Sequence, residues 1–389
     1  MAAAWFIAIA ALWCLYLVLE GFDFGVGMLL RRVRGDQFDR RVALHTIGPT
    51  WAANEVWLVV AVVAMFGAFP GWYAAWSATF YLPLAVVLLA LIARNAAIEL
   101  LGKRPDETWR RGWERVLCVA SWVAPFCWGL IWTAALEGVA LRGEEAVGGP
   151  LDVLTPISVL GGLTLVALCR ALGAAFLALR ADGEVAFRAA RELRRTAPAV
   201  ALLVTTTLVL VAPVPALGAA AVLAALAFAA LAATVSLPAD PPRDDAPSPR
   251  PAAPSPPLPR AAALPRAAGS PPPAARAAAL SPPSHSAARG FAAGCLAIAL
   301  LVAVWFGSLW PAGLNGRGGG PALTLADVAA GNYTLTLMTI LAGLLLPLLL
   351  ALQAWSYWLF RERVTRAAVG APRPSPIDVI ARVAEKRGW

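Results

Sequence analysis

Two carboxylates lie inside the first long apolar stretch of the sequence, where a membrane-length helix would hold them away from water. Glu20 and Asp23 are three residues apart and therefore share one face of a helix. Placing an ionised carboxylate in hydrocarbon costs at least about 2.5 kcal/mol, so such a group usually faces a bundle interior, a water-filled path or a partner. This pair is the first candidate for proton chemistry.

Further polar groups enter the membrane at the start of the next apolar stretch. Asn54 and Glu55 come from the same side and reach about the depth of Glu20 and Asp23. Three carboxylates and an amide in one place can hold a proton, because burial and neighbouring negative charge both favour a neutral carboxyl group. The alternative is local: Asn54 caps a helix, and Glu55 occupies a first turn that the helix dipole favours.

The composition predicts an all-α integral membrane protein. Of 389 residues, 60% are hydrophobic and only 14% are charged, which is too apolar for an ordinary soluble domain. Long runs of Ala, Leu and Val favour helices over the alternating pattern of a membrane barrel. The net charge of +9 comes mainly from loop arginines, which argues against nucleic acid as a partner. The five cysteines form no CxxC pair, so we expect packing residues rather than metal ligands.

Hydropathy predicts about nine transmembrane helices. They are Ala3–Leu30, Asn54–Phe69, Trp72–Ile92, Val116–Leu141, Leu154–Leu179, Ala197–Val211, Leu217–Val235, Phe291–Trp310 and Leu335–Phe360. The loops alternate between arginine-rich and arginine-poor, and one of the rich loops runs from Arg94 to Arg115. Because positive loops stay inside, we expect the N-terminus outside and the C-terminus in the cytoplasm.

Four regions follow from this pattern. Residues 1–236 form a membrane bundle of seven predicted spans, and residues 290–362 contain the last two. Between them, residues 237–289 are rich in Pro, Ala and Arg, which predicts a disordered cytoplasmic linker. Residues 363–389 are expected to be a cytoplasmic tail.

Five segments carry a resemblance to a known family. They are LEGFDFGVGMLL (Leu19–Leu30), IGPTWAANEVWL (Ile47–Leu58), FPGWYAAWSATFYLPL (Phe69–Leu84), FLALRADG (Phe176–Gly183), and YTLTLMT with the later QAWSYWLFRERV. Together they resemble subunit II of the cytochrome bd-type quinol oxidases. The similarity covers both ends of the chain and most spans, and it is weakest at about residues 200–290.

The resemblance implies a multi-pass subunit of a quinol:oxygen oxidoreductase in the bacterial cytoplasmic membrane. The complex would oxidise quinol, reduce dioxygen to water and take protons from the cytoplasm. Heme b and heme d are expected in the partner subunit I, with none ligated by this chain, which has only two histidines. A structural quinone, small accessory membrane subunits and membrane lipids are further expected partners. The chain alone is not expected to be catalytic or to hold a metal.

The family pattern assigns site residues by motif. Asp23 matches the acidic residue of the GFD motif, which the family places in a cytoplasmic proton channel, and Trp51, Asn54 and Trp57 match the second motif. At Ala52 the family usually has Asp, so the second acidic group of that channel is missing here. Glu20 or Glu55 would replace it, or the route runs through the partner subunit.

Glycines surround the first motif. Gly21, Gly25 and Gly27 flank Asp23, and the spacing of Gly21 and Gly25 allows two helices to approach closely. We expect packing rather than contact with a cofactor.

Other readings of the sequence are a proton-coupled secondary transporter and a purely structural membrane subunit.

Arg170 lies within the fifth predicted span, where a lone cation is costly, and could pair with Glu137, a partner carboxylate, or a lipid or quinone headgroup. Several tryptophans, among them Trp5, Trp72 and Trp76, fall near predicted membrane interfaces, where indole rings often anchor.

Overall fold

The computed structural model describes residues 1–33, 35, 37–104, 106–142, 145–211, 285–317, 322–366 and 369. This part of the chain is a helical bundle with two small hairpins. The helices are α1 (Ala2–Val33), α2 (Gln37–Ile47), α3 (Trp51–Ala68), α4 (Pro70–Thr79), α5 (Tyr81–Leu100), α6 (Glu107–Glu137), α7 (Pro156–Arg180), α8 (Gly183–Val211), α9 (His285–Leu309) and α10 (Asn332–Leu359). Strands β1 (Leu141–Arg142) and β2 (Glu145–Ala146) pair antiparallel, as do β3 (Ala312–Leu314) and β4 (Leu323–Thr324).

The predicted all-α membrane architecture is confirmed. Eight stretches of the described residues are long and apolar enough to cross a membrane, one of them being Phe38–Ala68, which joins α2 and α3. The sixth predicted span is the second half of α8. The seventh, Leu217–Val235, and nearly all of the predicted linker lie outside the described residues. Helix α9 begins at His285, ahead of the predicted span start at Phe291.

The third predicted span begins in the wrong place. The chain forms a separate helix, α4, and the spanning helix α5 begins at Tyr81 instead of Trp72. Pro83 explains the break, because its ring would clash with the carbonyl of Thr79 in a continuous helix, whereas the first turn of a new helix tolerates it. The span is therefore displaced along the sequence, and Arg94 lies within α5 rather than in a loop.

Helix α1 is the centre of the bundle. It packs against α3, α6, α7 and α9, and its buried residues include Trp13, Tyr16, Phe24 and Leu29. The contact with α7 is very close: a Cβ on Gly25 would lie 2.1 Å from the carbonyl oxygen of Cys169. This separation admits no side chain at that position.

A layer of aromatic rings fills one end of the bundle. Trp13 makes edge contacts with Trp76, Trp128 and Trp132, with ring centroids 4.9–6.2 Å apart. Trp72 and Trp76 are buried rather than facing lipid, so their predicted role as interface anchors is wrong. They are buried because the separate helix α4 sets the Trp72 ring against Phe6 and the Trp76 ring against Trp13, both on α1.

Helix α10 lies at the edge of the described bundle. Only 6% of its apolar window is buried, and it packs mainly against α3. The segment after α10 returns to the bundle: Arg363 donates to the carbonyl of Ala181 at 2.6 and 3.1 Å, and Arg366 pairs with Asp39. Side-chain contacts therefore hold the end of α10 in place.

The contact between α1 and α7 predicts that Gly25→Ala destabilises the assembled protein. The new methyl group would meet backbone atoms of α7, which cannot rotate away, and such overpacking costs at least about 1–3 kcal/mol. We expect a lower thermal denaturation midpoint and a lower yield of purified complex. Gly307→Ala on α9 is the matched control, because a Cβ there meets nothing within 4 Å. Equal denaturation midpoints for the two variants would contradict the packing.

Candidate functional site

Both carboxylates of α1 are completely buried in the bundle. Glu20 and Asp23 have exposed fractions of 0%, and they lie on the helix face that meets α3 and α5. A buried charge requires a charged or hydrogen-bonding partner. The direct partners come from α3 and α5, and α10 contacts the site through Asn54 of α3.

Arg94 of α5 provides the positive charge. Its guanidinium forms an ion pair with Glu20, and its Nη2 lies 3.9 Å from Oδ2 of Asp23. The same group lies 4.9 Å from the centroid of the Phe24 ring. Arg94 has an exposed fraction of 0%, so its sequence assignment to a positive cytoplasmic loop is wrong.

Asn54 of α3 joins Asp23 to α10. Its Nδ2 donates to Oδ2 of Asp23 at 2.8 Å, and its Oδ1 accepts from Gln353 Nε2 and from the Tyr357 hydroxyl, both at 2.7 Å. The side chain therefore belongs to the site in this structure, in addition to its place in the first turn of α3. Thr50, not Asn54, is the N-cap residue of α3.

Glu55 turns toward α5. It is half-buried and accepts a hydrogen bond from Nδ2 of Asn95 at 2.7 Å. Among the described residues, it makes neither a hydrogen bond nor an ion pair with Glu20 or Asp23. Glu55 therefore lies next to the ion-paired group and is not part of it. Its partner, Asn95, is the residue that follows Arg94 in α5.

The other motif residues surround this group. Trp57 is buried and Trp51 is half-buried, whereas Ala52 lies on the exposed face of α3. An acidic side chain at position 52 would therefore point away from Asp23. Gly21 and Gly27 pack against α7 and α6, with their nearest neighbours at Cys169 and Ser121 respectively.

The charges in the site do not balance. Two carboxylates face one guanidinium, which keeps its proton at any accessible pH. Oε2 of Glu20 and Oδ1 of Asp23 are buried without a hydrogen-bond partner among the described residues. One added proton would make the Glu20, Asp23 and Arg94 group neutral, and either free oxygen could accept it. The arrangement is thus able to hold one exchangeable proton.

Arg170 does not pair with Glu137, one of its expected partners. It forms an ion pair with Glu192 of α8, and its guanidinium lies 5.9 Å from the Trp122 ring centroid. Glu137 instead accepts a hydrogen bond from the Thr155 hydroxyl. Helix α8 extends well before its predicted span, and this brings Glu192 beside α7.

The metal-binding side chains of the described residues are scattered through the fold. In the part of the chain that the structure describes, no three His, Cys, Asp or Glu side chains are grouped to hold a metal ion. His45 is exposed on α2, and His285 is the first residue of α9.

Comparisons with known proteins give the family. The model of cytochrome bd terminal oxidase subunit II matches residues 1–248 and 258–360. The chain is 32% identical over 362 residues to cytochrome bd ubiquinol oxidase subunit 2 of Bacillus subtilis (strain 168), which covers 93% of this chain and 96% of that protein. It is also 32% identical over 189 residues to cytochrome bd-I ubiquinol oxidase subunit 2 of Escherichia coli (strain K12), covering 47% and 50%.

A solved structure has the same fold. The chain matches a chain of bd oxidase from Geobacillus thermodenitrificans with a TM-score of 0.61 and 17% sequence identity, over 92% of this chain and 98% of that one. The chain belongs to the cytochrome bd terminal oxidase subunit II family, as the sequence motifs predicted.

Family membership establishes the setting of the site. The protein is a multi-pass subunit in the bacterial cytoplasmic membrane, and it belongs to an oxidoreductase complex that also contains subunit I and hemes. Sequence reasoning identified Glu20, Asp23 and Asn54, but it missed Arg94, Gln353 and Tyr357. Pro83 was the available signal for Arg94. A helix break near Pro83 displaces the third span toward the C-terminus, so that the span includes Arg94.

The ion pair predicts that Arg94→Met sharply lowers stability. The variant would leave two carboxylates facing each other without a cation, and breaking a buried pair costs about 3–5 kcal/mol. We expect little assembled complex and a lower denaturation midpoint. Adding Glu20→Gln should recover part of the loss, because it removes the carboxylate that Arg94 neutralised.

The matched control is Arg115→Met, on the exposed face of α6, which should assemble normally. An Arg94→Met complex as stable as the unmodified one would contradict the pairing. So would a double variant no more stable than Arg94→Met alone.

Proposed function

We propose that this chain is a heme-free subunit that supports subunit I and contributes to cytoplasmic proton uptake, with Glu20 and Asp23 as the groups that hold the proton. The observation that carries the proposal is the buried group of two carboxylates and one guanidinium. Reduction of dioxygen to water consumes protons, so a membrane site that gains and loses one proton has a direct use in such a complex.

Charge balance supports the choice of these residues. An uncompensated charge in the apolar part of a membrane protein costs several kcal/mol, about 2.5 or more on insertion scales. With one proton the group is neutral, and without it the group carries one negative charge. The energy of that charge depends on whether positive charge or water is near, which allows the site to release its proton when conditions in the complex change.

Glu55 and Asn95 are the proposed entry to the site. Glu55 is half-buried at the start of α3, and its partner Asn95 adjoins Arg94 on α5. In this arrangement Glu55 and Glu20 take the place of the acidic group absent at Ala52. The arginines in the last turn of α1, Arg31 and Arg32, support a cytoplasmic position for this end of the site and an external N-terminus.

The hemes are proposed to reside in subunit I. The exposed position of His45 supports this, and so does the absence, among the described residues, of a group of three metal-binding side chains. Quinol and dioxygen would then react on the partner subunit. A structural quinone, lipids and accessory subunits would be bound elsewhere on the surface of the complex.

A purely structural role is the second candidate. The ion pair between Arg94 and Glu20 favours it, since one carboxylate is already neutralised and Ala52 removes an acidic group that the family usually has. Under this alternative, the site serves to hold α1, α3 and α5 together, and neutral isosteres should keep full turnover once the complex has assembled.

The two candidates are separated by quinol oxidase turnover of assembled complexes. We expect Asp23→Asn to reduce turnover by about a hundredfold, the low end of what a proton-transferring group contributes. Glu20→Gln should also reduce turnover, and Glu55→Gln should do so to a smaller extent because Glu55 is partly open to solvent.

The control is Asp106→Asn, an exposed N-cap residue of α6 whose replacement caps a helix equally well. Heme content, read from the absorption spectrum, normalises the rates to the amount of assembled complex. Normal turnover in all three site variants would refute proton uptake and leave the structural role.

A further inference from the structure

The amide of Asn54 uses its full hydrogen-bonding capacity. Nδ2 donates to Oδ2 of Asp23 at 2.8 Å and approaches the carbonyl oxygen of Leu19 at 3.4 Å. Oδ1 accepts from Gln353 and Tyr357. An asparagine amide has two donor hydrogens and one acceptor oxygen with two lone pairs, so this environment satisfies every one of them.

The acceptors on the α1 side, Leu19 O and Asp23 Oδ2, set the orientation of this amide. The backbone carbonyl of Leu19 can only accept, so it requires the NH2 group on the α1 side. The hydroxyl of Tyr357 and the amide of Gln353 both supply a hydrogen on the α10 side. A flipped amide would set its oxygen against the Leu19 carbonyl and the Asp23 carboxylate, and it would lose the two hydrogen bonds that Oδ1 accepts.

This orientation restricts what Asp23 can do. The groups near its Oδ2 are the NH2 of Asn54 and, at 3.9 Å, the guanidinium of Arg94. Neither group can take a proton from a carboxylic acid. Oδ1 of Asp23 is buried and has no hydrogen-bond partner among the described residues. Oδ1 is therefore the oxygen left for proton exchange.

We propose that Tyr357 and Gln353 are positioning residues: they hold the amide of Asn54 so that it donates to Oδ2 of Asp23 and leaves Oδ1 as the oxygen that exchanges the proton. The inference deepens the proposed proton uptake and rests on it. Helix α10 then helps to position Asn54, although the helix lies at the edge of the described bundle.

The contacts of α10 support this role. Most of the helix faces outward, but Tyr357 reaches inward, where its ring makes an edge contact with Phe22 at 6.4 Å between centroids. Phe22 precedes Asp23 on α1. The phenyl ring of a Tyr357→Phe variant would keep that contact. The variant would lose the hydroxyl, with its hydrogen bond to Asn54 and its contact with Thr50.

The test is a double-mutant cycle on turnover of the assembled complex, using Tyr357→Phe, Asn54→Ala and the combination. Tyr357→Phe alone should lower turnover at least about threefold, as expected for losing a hydrogen bond of ordinary strength. In the Asn54→Ala background, the same substitution should have no further effect, because Tyr357 acts through Asn54. Tyr333→Phe is the matched control: it removes a hydroxyl from the same helix at an 82% exposed position, and turnover should not change.

Infrared difference spectra of the complex provide a second measurement. The carboxyl stretching band that Asp23→Asn abolishes should shift in Tyr357→Phe, because the donor to Oδ2 is no longer held. It should stay in place in Tyr333→Phe. A helix-packing role of Tyr357 would leave the band where it is.

Three results would overturn the inference: normal turnover in Tyr357→Phe, an equal effect of this substitution with and without Asn54, or an unmoved carboxyl band. Asp23→Asn separates this failure from that of the proposed function. If Asp23→Asn is slow while Tyr357→Phe is normal, only the positioning role fails. If Asp23→Asn itself turns over normally, proton uptake through this site fails as well.

Discussion

The ion pair between Arg94 and Glu20, with Asp23 beside it, is the interaction on which the centre of this bundle depends. All three side chains are completely buried, and each would be costly alone in an apolar setting. Their mutual attraction requires that α1 and α5 keep one relative position, and the hydrogen bond from Asn54 adds α3. The same constraint leaves one carboxylate in excess, which gives the site its capacity for a proton.

The rest of the fold is arranged to make this pairing possible. The break between α4 and α5 places Arg94 at the depth of Glu20 and lets α4 contribute Trp76 to the aromatic layer. On the opposite side of α1, the absence of a side chain at Gly25 lets α7 approach backbone to backbone. Helix α10 completes the arrangement by supplying the hydrogen-bond donors that orient Asn54.

The sequence predicted the helical membrane fold and half of the site, for physical reasons. Carboxylates in an apolar run, such as Asp23, are conspicuous because hydrocarbon penalises them. Arg94 was less conspicuous, because it lies at the end of an apolar run and is followed by further polar residues. In such a sequence the end of a helix cannot be told from the start of a loop. Nothing in a single sequence pairs Asn54 with Tyr357, because contacts between residues about three hundred positions apart depend on how the helices pack.

The central claim is that the group of Glu20, Asp23 and Arg94 takes up a proton during turnover. The most direct measurement is proton uptake from the cytoplasmic side, followed with a pH-indicating dye while reduced complex in liposomes reacts with dioxygen. We predict that uptake is strongly slowed in the Asp23→Asn complex and normal in Asp106→Asn. Uptake in Asp23→Asn that is as fast as in the unmodified complex would contradict it.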